Sequence, residues 1–375
     1  MKILFTGGGS GGHFYPIIAI AEEVNDLVKQ ERLLEAKLYY MSNTPFNERM
    51  LYDNNIIYLS APAGKVRRYF SIKNFFDMFK TATGIIKAVW RVFTIFPDVV
   101  LGKGGYASFP ALVAARLFRI PVIIHESDST PGRVNLWASK FARKIAISYP
   151  EVAEYFPKEK VAYTGNPIRK SIQKRDQEGA VEFLKLEKDI PLILILGGSQ
   201  GAQAINDALL DSIPKLIEKY QIIHQTGVEN FEEVRRTVDV IVGDNPNKSR
   251  YKAFPYINDL AMQMSASIAE LVISRAGSSI FEIANWGIPS IIIPIPETVS
   301  HDQTSNAFNY ARSGACIVIE EVNLSPNIVL HEINKLMDNS ELRRSMSESA
   351  LKFAPKDASQ KIARALLDIA LQHEK

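Results

Sequence analysis

A chain of 375 residues is longer than one compact core ordinarily fills and predicts two domains of about 150 to 200 residues each. A composition 46% hydrophobic and 23% charged is that of an ordinary globular protein, and a net charge of +3 gives no reason to expect a nucleic-acid partner. The single cysteine, Cys316, excludes an intramolecular disulfide and a cysteine cluster for zinc, which fits a reducing cytoplasm. The opening MKILF runs straight into glycine, which predicts no signal peptide, and no run of about 18 apolar residues predicts a membrane span.

KILFT is a short apolar strand, followed by a loop in which five of the six residues from Gly7 to Gly12 are glycine. Next, PIIAIAEEVNDLVKQ places Ile17, Ile20, Ala21, Val24, Leu27 and Val28 at helical spacing. KLYYMS, DVVLG and PVIIHES are further strands, with a helix from Leu112 to Arg119 before the last of them, and RKIAIS and KVAYTG follow. Near 163–179 a proline and a charged stretch interrupt the pattern. It then restarts in IPLILILGGSQGAQAINDALLDSIPKL, again a buried strand, a glycine loop and an amphipathic helix. YQIIHQTG, YKAFPYI, AELVISRAG, PSIIIPI and GACIVIE continue the strands, and DASQKIARALLDIALQ closes as an amphipathic helix. Continuous apolar strands alternating with helices predict α/β units with parallel sheets covered on both faces. The chain therefore reads as two Rossmann-like domains.

A glycine loop between a buried strand and a helix lets backbone approach a ligand closely, and the free N–H groups there favour an anion. The first loop contains G-x-G-x-x-G as Gly7, Gly9 and Gly12. A dinucleotide site would also need Asp or Glu at the end of the second strand, where this chain has Met41-Ser42-Asn43, and NAD is disfavoured. No Gly-Lys-Ser or Gly-Lys-Thr is present, so the P-loop pattern fails too. One such loop could be only a tight turn. Two of them, in tandem units, predict two ligands, one per domain, bound where the carboxyl ends of the strands face a cleft. A nucleotide-sugar glycosyltransferase suits that layout.

The segments GGGSGGH, LGKGGYASFPALVAA, IPVIIHESDSTPGRVN, TGNPIR, GGSQGAQAIN, SRAGSSIFE and HDQTSNA occur in an order that resembles the MurG family. These are the bacterial N-acetylglucosaminyltransferases acting on undecaprenyl-diphosphate-linked N-acetylmuramyl-pentapeptide. The resemblance spans nearly the whole chain. It implies a GT-B fold, with an acceptor- and membrane-facing domain over 1–164, a UDP-sugar domain over 165–355, and a helix over 356–375 returning to the first. It implies UDP-N-acetylglucosamine as donor, no cofactor, and work at the cytoplasmic face of the plasma membrane as a peripheral protein. Where many members read HEQN, this chain reads His125-Glu126-Ser127-Asp128, and Ser10 stands where threonine is common.

By the same resemblance Ser10, Gly11, Gly12, Arg169, Ser199, Ile257, Ser278, Ser279, Glu282 and Gln303 form the donor site. Glu282 would hold the ribose hydroxyls, the backbone at Ile257 would read uracil, and Gln303 would read the sugar. From spacing alone, Ser279-x-x-Glu282 is equally a capping box at a helix start, Ser199 an N-cap, and Ile257 plain core. Gly9, Gly104, Gly105 and Tyr106 would face the acceptor and its diphosphate.

Transfer to the 4-hydroxyl of N-acetylmuramic acid with inversion is a single in-line displacement, which needs a base and stabilisation of the departing diphosphate. No Asp-x-Asp occurs to carry a metal. Helix termini and glycine loops supply a metal-independent substitute. An imidazole ordinarily titrates near neutral pH, so His13 is the first candidate base. It could instead bind the acceptor diphosphate, with His125, Glu126 and Asp128 as the other candidates.

Residues 64–96 interleave basic with aromatic residues, which suits a segment lying on anionic lipid. Arg67, Arg68, Phe70, Lys73, Phe75 and Phe76 are expected to face the membrane, and the helix near 80–96 is expected to be mostly core. A glycosyltransferase with another lipid acceptor, or a UDP-N-acetylglucosamine epimerase of the same architecture, would share most of these features. The epimerase would lack the basic–aromatic stretch.

Overall fold

The structure, a computed structural model, describes residues 1–64, 72–175, 177–198, 201–296 and 303–372, with 72–74 described by backbone only. The chain divides into two compact units, Met1–Arg169 with Pro355 onward, and Lys170–Ala354.

The first unit opens with β1 (Lys2–Thr6), α1 (Gly11–Gln30), β2 (Lys37–Ser42), α2 (Glu48–Asp53) and β3 (Ile56–Ser60). It continues with α3 (Ile72–Ile95), β4 (Val99–Gly102), α4 (Phe109–Leu117), β5 (Val122–Glu126), α5 (Arg133–Ser139), β6 (Lys144–Ile147) and β7 (Val161–Tyr163). The seven strands form one sheet in the order β3-β2-β1-β4-β5-β6-β7, paired parallel throughout. β1, β4 and β5 are almost wholly buried, as expected of strands covered on both faces. The strand order reverses between β1 and β4. The connections there leave in opposite directions and open a crevice at the carboxyl ends of both strands.

The second unit begins with α6 (Lys170–Gln173) and α7 (Ala180–Phe183), then β8 (Leu192–Leu196), α8 (Gln203–Leu210), α9 (Ile213–Lys219) and β9 (Gln221–Gln225). α10 (Phe231–Val242), β10 (Tyr251–Phe254), α11 (Asp259–Ile268), β11 (Ala269–Ser274) and α12 (Ser279–Trp286) follow. β12 (Ser290–Ile292), α13 (Thr304–Arg312), β13 (Cys316–Val318), α14 (Pro326–Met337) and α15 (Ser340–Lys352) complete it. Its six parallel strands run β10-β9-β8-β11-β12-β13, with the reversal between β8 and β11.

The last helix, α16 (Ala358–Leu371), returns to the first unit. Its Ile362, Ala363, Leu366, Leu367, Ile369 and Ala370 join one buried cluster with Ile17, Ile20, Ala21, Val24, Leu27 and Val28, the stripe of α1 that the spacing predicts.

One expectation fails. The helix near 80–96 is not mostly core. Only Gly84, Ala88 and Val92 of that stretch of α3 are buried, one every four residues, while Ile86, Trp90 and Phe93 are exposed. The reason is steric. A β-carbon on Gly84 would overlap the Pro62 carbonyl oxygen, so small residues bring the helix backbone against the chain and leave the large side chains outward.

Leu366 is fully buried in the α1–α16 seam. Leu366→Ala is expected to cost about 2–5 kcal/mol of stability, read as a lower denaturation midpoint for the first unit.

Candidate active site

At the switch point of the first unit the backbone is pinned before it turns. The Thr6 hydroxyl donates to the Met41 carbonyl at 2.8 Å, and the Thr6 carbonyl accepts the Lys103 N–H at 2.8 Å. The Tyr40 hydroxyl donates to the Gly7 carbonyl at 2.9 Å. The loop after β1 is therefore fixed to both flanking strands, and α1 starts at Gly11 with Ser10 at its N-cap. The first N–H groups of a 20-residue helix lack partners within the helix and carry its positive end, a setting for an anion.

Ser10 does not use its side chain to cap the helix. Its Oγ lies 3.0 Å from His13 Nδ1. If Nδ1–H donates to Ser10, Nε2 keeps its lone pair and can take a proton. The loop after β4 closes on this histidine. Gly105 has φ +74°, and a β-carbon there would fall 3.1 Å from the Gly8 carbonyl and 3.4 Å from His13 Cε1 and Nε2. Tyr106 leans on Gly9, whose β-carbon would lie 3.2 Å from the ring. The structure thus brings Gly9, Ser10, Gly11, Gly12, His13, Gly104, Gly105 and Tyr106 to one place.

The HESD stretch ends β5 beside these loops. His125 is fully buried, with Nε2 3.1 Å from both the Gly165 carbonyl and Ser148 Oγ. Nε2 therefore carries the proton. Burial, reinforced by the nearby Lys103 charge, pushes the imidazole well below its ordinary pKa. The enclosed ring braces the Gly165 turn through Nε2. Glu126 is also buried. Its Oε1 accepts the Asp128 N–H at 3.1 Å, and its Oε2 accepts the Gly132 N–H at 3.0 Å and Asn135 Nδ2 at 2.9 Å. Burial and the Asp128 charge raise its pKa, against the pull of these three bonds. Glu126 therefore shapes the turn that presents Asp128.

Two residues that sequence reasoning passed over belong here. Asn135 donates to both Glu126 and the His125 carbonyl. Lys103 is 1% exposed, and its Nζ has no hydrogen-bond partner among the described residues. Burial lowers its pKa to about 8, opposed by the charges of Glu126 and Asp128. The signal for Lys103 was present: a lone charge at the end of the apolar run VVLG.

Arg169 falls in the first unit, buried, with its guanidinium 3.9 Å from the centre of the Tyr15 ring.

In the second unit the corresponding loops follow β8 and β11. Gly197 and Gly198 open the first of them, and Ser199 lies outside the described residues. After β11, Ser278 occupies the N-cap of α12, and Ser279 sits one residue inside the helix. The Ser279 hydroxyl reaches Ser274 Oγ at 3.2 Å and the Arg275 carbonyl at 3.3 Å. The capping-box alternative for Ser279 and Glu282 is therefore not realised, because the serine is spent on the preceding turn. Glu282, half-buried in the first turn, stands at the same helix end. Gln303 crosses to it, its Oε1 accepting N–H groups of Ala276 at 3.1 Å and Ile295 at 3.3 Å. The side-chain carbonyl of Gln303 thus ties the turn after β11 to Ile295. Ile257 is buried, and its N–H donates to Gln225 Oε1 at 3.1 Å.

The basic–aromatic stretch is seen in part. Arg67, Arg68 and Phe70 lie outside the described residues, as does the side chain of Lys73. Phe75 and Phe76 are 56% and 67% exposed, with Met78 and Phe79 beside them on α3.

The glycosyltransferase family 28 N-terminal domain profile matches residues 3–147, and the family 28 C-terminal domain profile matches residues 192–362. A curated relative from Bacillus anthracis is 36% identical over 363 residues, 96% of this chain and 97% of its own. It is named UDP-N-acetylglucosamine--N-acetylmuramyl-(pentapeptide) pyrophosphoryl-undecaprenol N-acetylglucosamine transferase 2. The chain belongs to the MurG family. A Treponema denticola transferase of the same kind is 34% identical, covering 89% of this chain and 88% of its own. The crystal structure of Acinetobacter baumannii MurG superimposes with a TM-score of 0.71 at 26% identity, covering 98% of this chain and 99% of that one. A UDP-GlcNAc 2-epimerase from Neisseria meningitidis reaches 0.68 at 17% identity, covering 98% and 100%, a likeness of fold alone. The two-sheet GT-B architecture is thus common to transferases and epimerases, and the MurG relatives named here also match in sequence.

Behind the second glycine loop, buried His224 lies 3.0 Å from Asn206 Oδ1 through Nε2 and 2.9 Å from the Tyr251 hydroxyl through Nδ1, and Asn206 Nδ2 donates to the Thr226 carbonyl. Burial lowers the His224 pKa from 6.5 to about 3. A pKa depressed on folding means the unfolded chain binds the proton first. The stabilisation is complete above about pH 6.5 and drains as pH falls toward about 3, by about 1.4 kcal/mol per pH unit for one excluded proton. Denaturant titrations from pH 7 to pH 4.5 are expected to show a shallower acid loss for His224→Gln than for the parent.

Proposed function

We propose that the chain transfers N-acetylglucosamine from UDP-N-acetylglucosamine to the 4-hydroxyl of undecaprenyl-diphosphate-linked N-acetylmuramyl-pentapeptide, lipid I to lipid II of peptidoglycan synthesis. The observation that carries this is identity of 36% over 96% of the chain with transferases of that name, combined with a strand-order reversal in each unit. The protein is a glycosyltransferase of the GT-B type.

In this reading the second unit holds the donor. The α12 N-terminus meets the diphosphate, Glu282 the ribose hydroxyls, the 257 backbone the uracil, and the Gln303 amide a sugar oxygen. Charge leaving on UDP is then met by oriented N–H groups, already in place when the bond breaks. The loops of the first unit take the acceptor, with its diphosphate on the Gly9 and Gly104–Gly105 backbone. His13 Nε2 is assigned as the base for the attacking hydroxyl, its ring oriented by Ser10. Asp128 is assigned to the acceptor side of the same site. His125 and Glu126 are assigned to holding that side in shape. Arg169, stacked on Tyr15, is assigned to the donor diphosphate.

The lipid acceptor requires the enzyme to work at a bilayer surface. No helix among the described residues is long and apolar enough to cross one. The exposed Phe75, Phe76 and Phe79 of α3, two pairs of which pack edge to face, are assigned as the interfacial anchor, with the basic residues before them drawing the unit to anionic lipid.

The deciding experiment offers UDP-N-acetylglucosamine with lipid-linked muramyl-pentapeptide, with other lipid-linked sugars, and with no acceptor. Transfer is expected with the first alone, and 2-epimerised product with none. His13→Ala is expected to lower kcat by about 100-fold or more, as general-base loss does, with donor KM little changed. Unchanged turnover would reject the assignment. Replacing Phe75, Phe76 and Phe79 together with serine is expected to abolish cosedimentation with anionic vesicles while leaving the melting temperature in place.

A further inference from the structure

Tyr15, in the second turn of α1, leans on the glycine loop and carries Arg169 on its ring. Helical side chains tilt toward the helix N-terminus, so Tyr15 lies back over Gly11, four residues earlier. A β-carbon on Gly11 would fall 2.7 Å from Tyr15 Cε2 and 3.1 Å from Cδ2. Only glycine at the first position of the helix admits the ring there. The buried guanidinium of Arg169 sits over that ring, 3.9 Å from its centre.

A cation near a helix N-terminus is disfavoured, because that end of the helix is itself positive. Here a guanidinium stands one ring's breadth from the start of a 20-residue helix. An anion set against both removes the conflict, and the donor diphosphate is the anion assigned to Arg169 above.

The Tyr15 ring is itself held. Phe46 meets it edge to face, with centroids 5.7 Å apart and planes at 89°, and Phe14 meets it at 5.8 Å and 67°. Phe46 also packs on the fully buried Phe14 at 4.9 Å, and its Cζ would lie 3.5 Å from a β-carbon on Gly11. Reaching that place strains the backbone. Phe46 has φ +60°, in the left-handed region that aromatic residues avoid. Its turn is closed by the Asn47 N–H donating to the Pro45 carbonyl at 2.7 Å. Asn47 Oδ1 then caps α2 by accepting the Met50 N–H at 3.1 Å. The Phe46 ring stays 37% exposed, so it is not there to fill the core. What the strained turn secures is a ring against Tyr15.

We propose that Tyr15 is a positioning residue of the donor site, fixed by Phe46, whose ring sets the place of the Arg169 guanidinium before the diphosphate arrives. The inference rests on the reading above that gives Arg169 the donor diphosphate. It assigns Tyr15 and Phe46 no contact with substrate; both act through Arg169.

The test is a double-mutant cycle on Tyr15 and Arg169, read as KM for UDP-N-acetylglucosamine and as its Kd by calorimetry without acceptor. Tyr15→Leu, which keeps apolar bulk and removes the ring, is expected to raise both by about fivefold or more, with KM for the lipid acceptor little changed. Tyr15→Phe keeps the ring and is expected to stay within about twofold of the parent. In an Arg169→Met background, Tyr15→Leu is expected to change Kd by less than about twofold, because the group it positions is gone. Phe46→Gly, which removes the ring and relieves the turn, is expected to raise the donor KM in the same direction. Parent-like donor KM and Kd in Tyr15→Leu, with or without a lowered melting temperature, would overturn the proposal. Equal losses from Tyr15→Leu in both backgrounds would do the same. An unchanged donor KM in Phe46→Gly would overturn the part given to Phe46. If the parent binds UDP-N-acetylglucosamine but does not glycosylate lipid-linked muramyl-pentapeptide, the transferase reading falls, and the calorimetric cycle still decides the role of Tyr15.

Discussion

The parallel pairing of β1 with β4 is the constraint on which the first unit depends. Thr6 sits opposite Gly102, and the bond from the Lys103 N–H to the Thr6 carbonyl extends that ladder one step past the strands. Two loops that lie far apart in sequence must therefore leave the sheet side by side. Because the strand order reverses there, neither loop is covered by the helix that follows the other. Everything assigned to the acceptor hangs from this register. A slip of one residue would turn Lys103 and Gly7 to the opposite face and separate His13 from Gly105.

The second unit repeats the device at β8 and β11, with a different filling. There the polar groups behind the loop are neutral: His224 is held uncharged between Tyr251 and Asn206, and Gln303 bonds through an amide. The first unit instead buries three ionisable side chains, Lys103, His125 and Glu126, within a few residues of the strand ends.

The fold was legible because it is written in patterns that depend on few long-range facts. Apolar strands such as LILIL, the 3.6-residue stripe of α1 and the glycine breaks are local signals, and each became the expected element. α3 was misread because its buried stripe, Gly84, Ala88 and Val92, is made of small residues that carry little hydrophobic signal, while its exposed face carries the aromatics. At the site, the glycines and His13 stood out by composition. The enclosure of His125 did not, since the Gly165 turn and Ser148, far along the chain, close over it. Lys103 and Asn135 escaped for the same reason. Their meaning comes from neighbours brought in by strand register, and a lysine in a glycine loop looks solvated until the sheet is assembled.

The return of α16 has a consequence for the order in which the protein is made. The seam it forms with α1 joins residues near the start of the chain to residues that follow the whole second unit. During synthesis the first unit must therefore wait, its α1 stripe unshielded, while Lys170–Ala354 is translated and can collapse on its own. The unit that begins the chain is thus completed only when its last helix has been made.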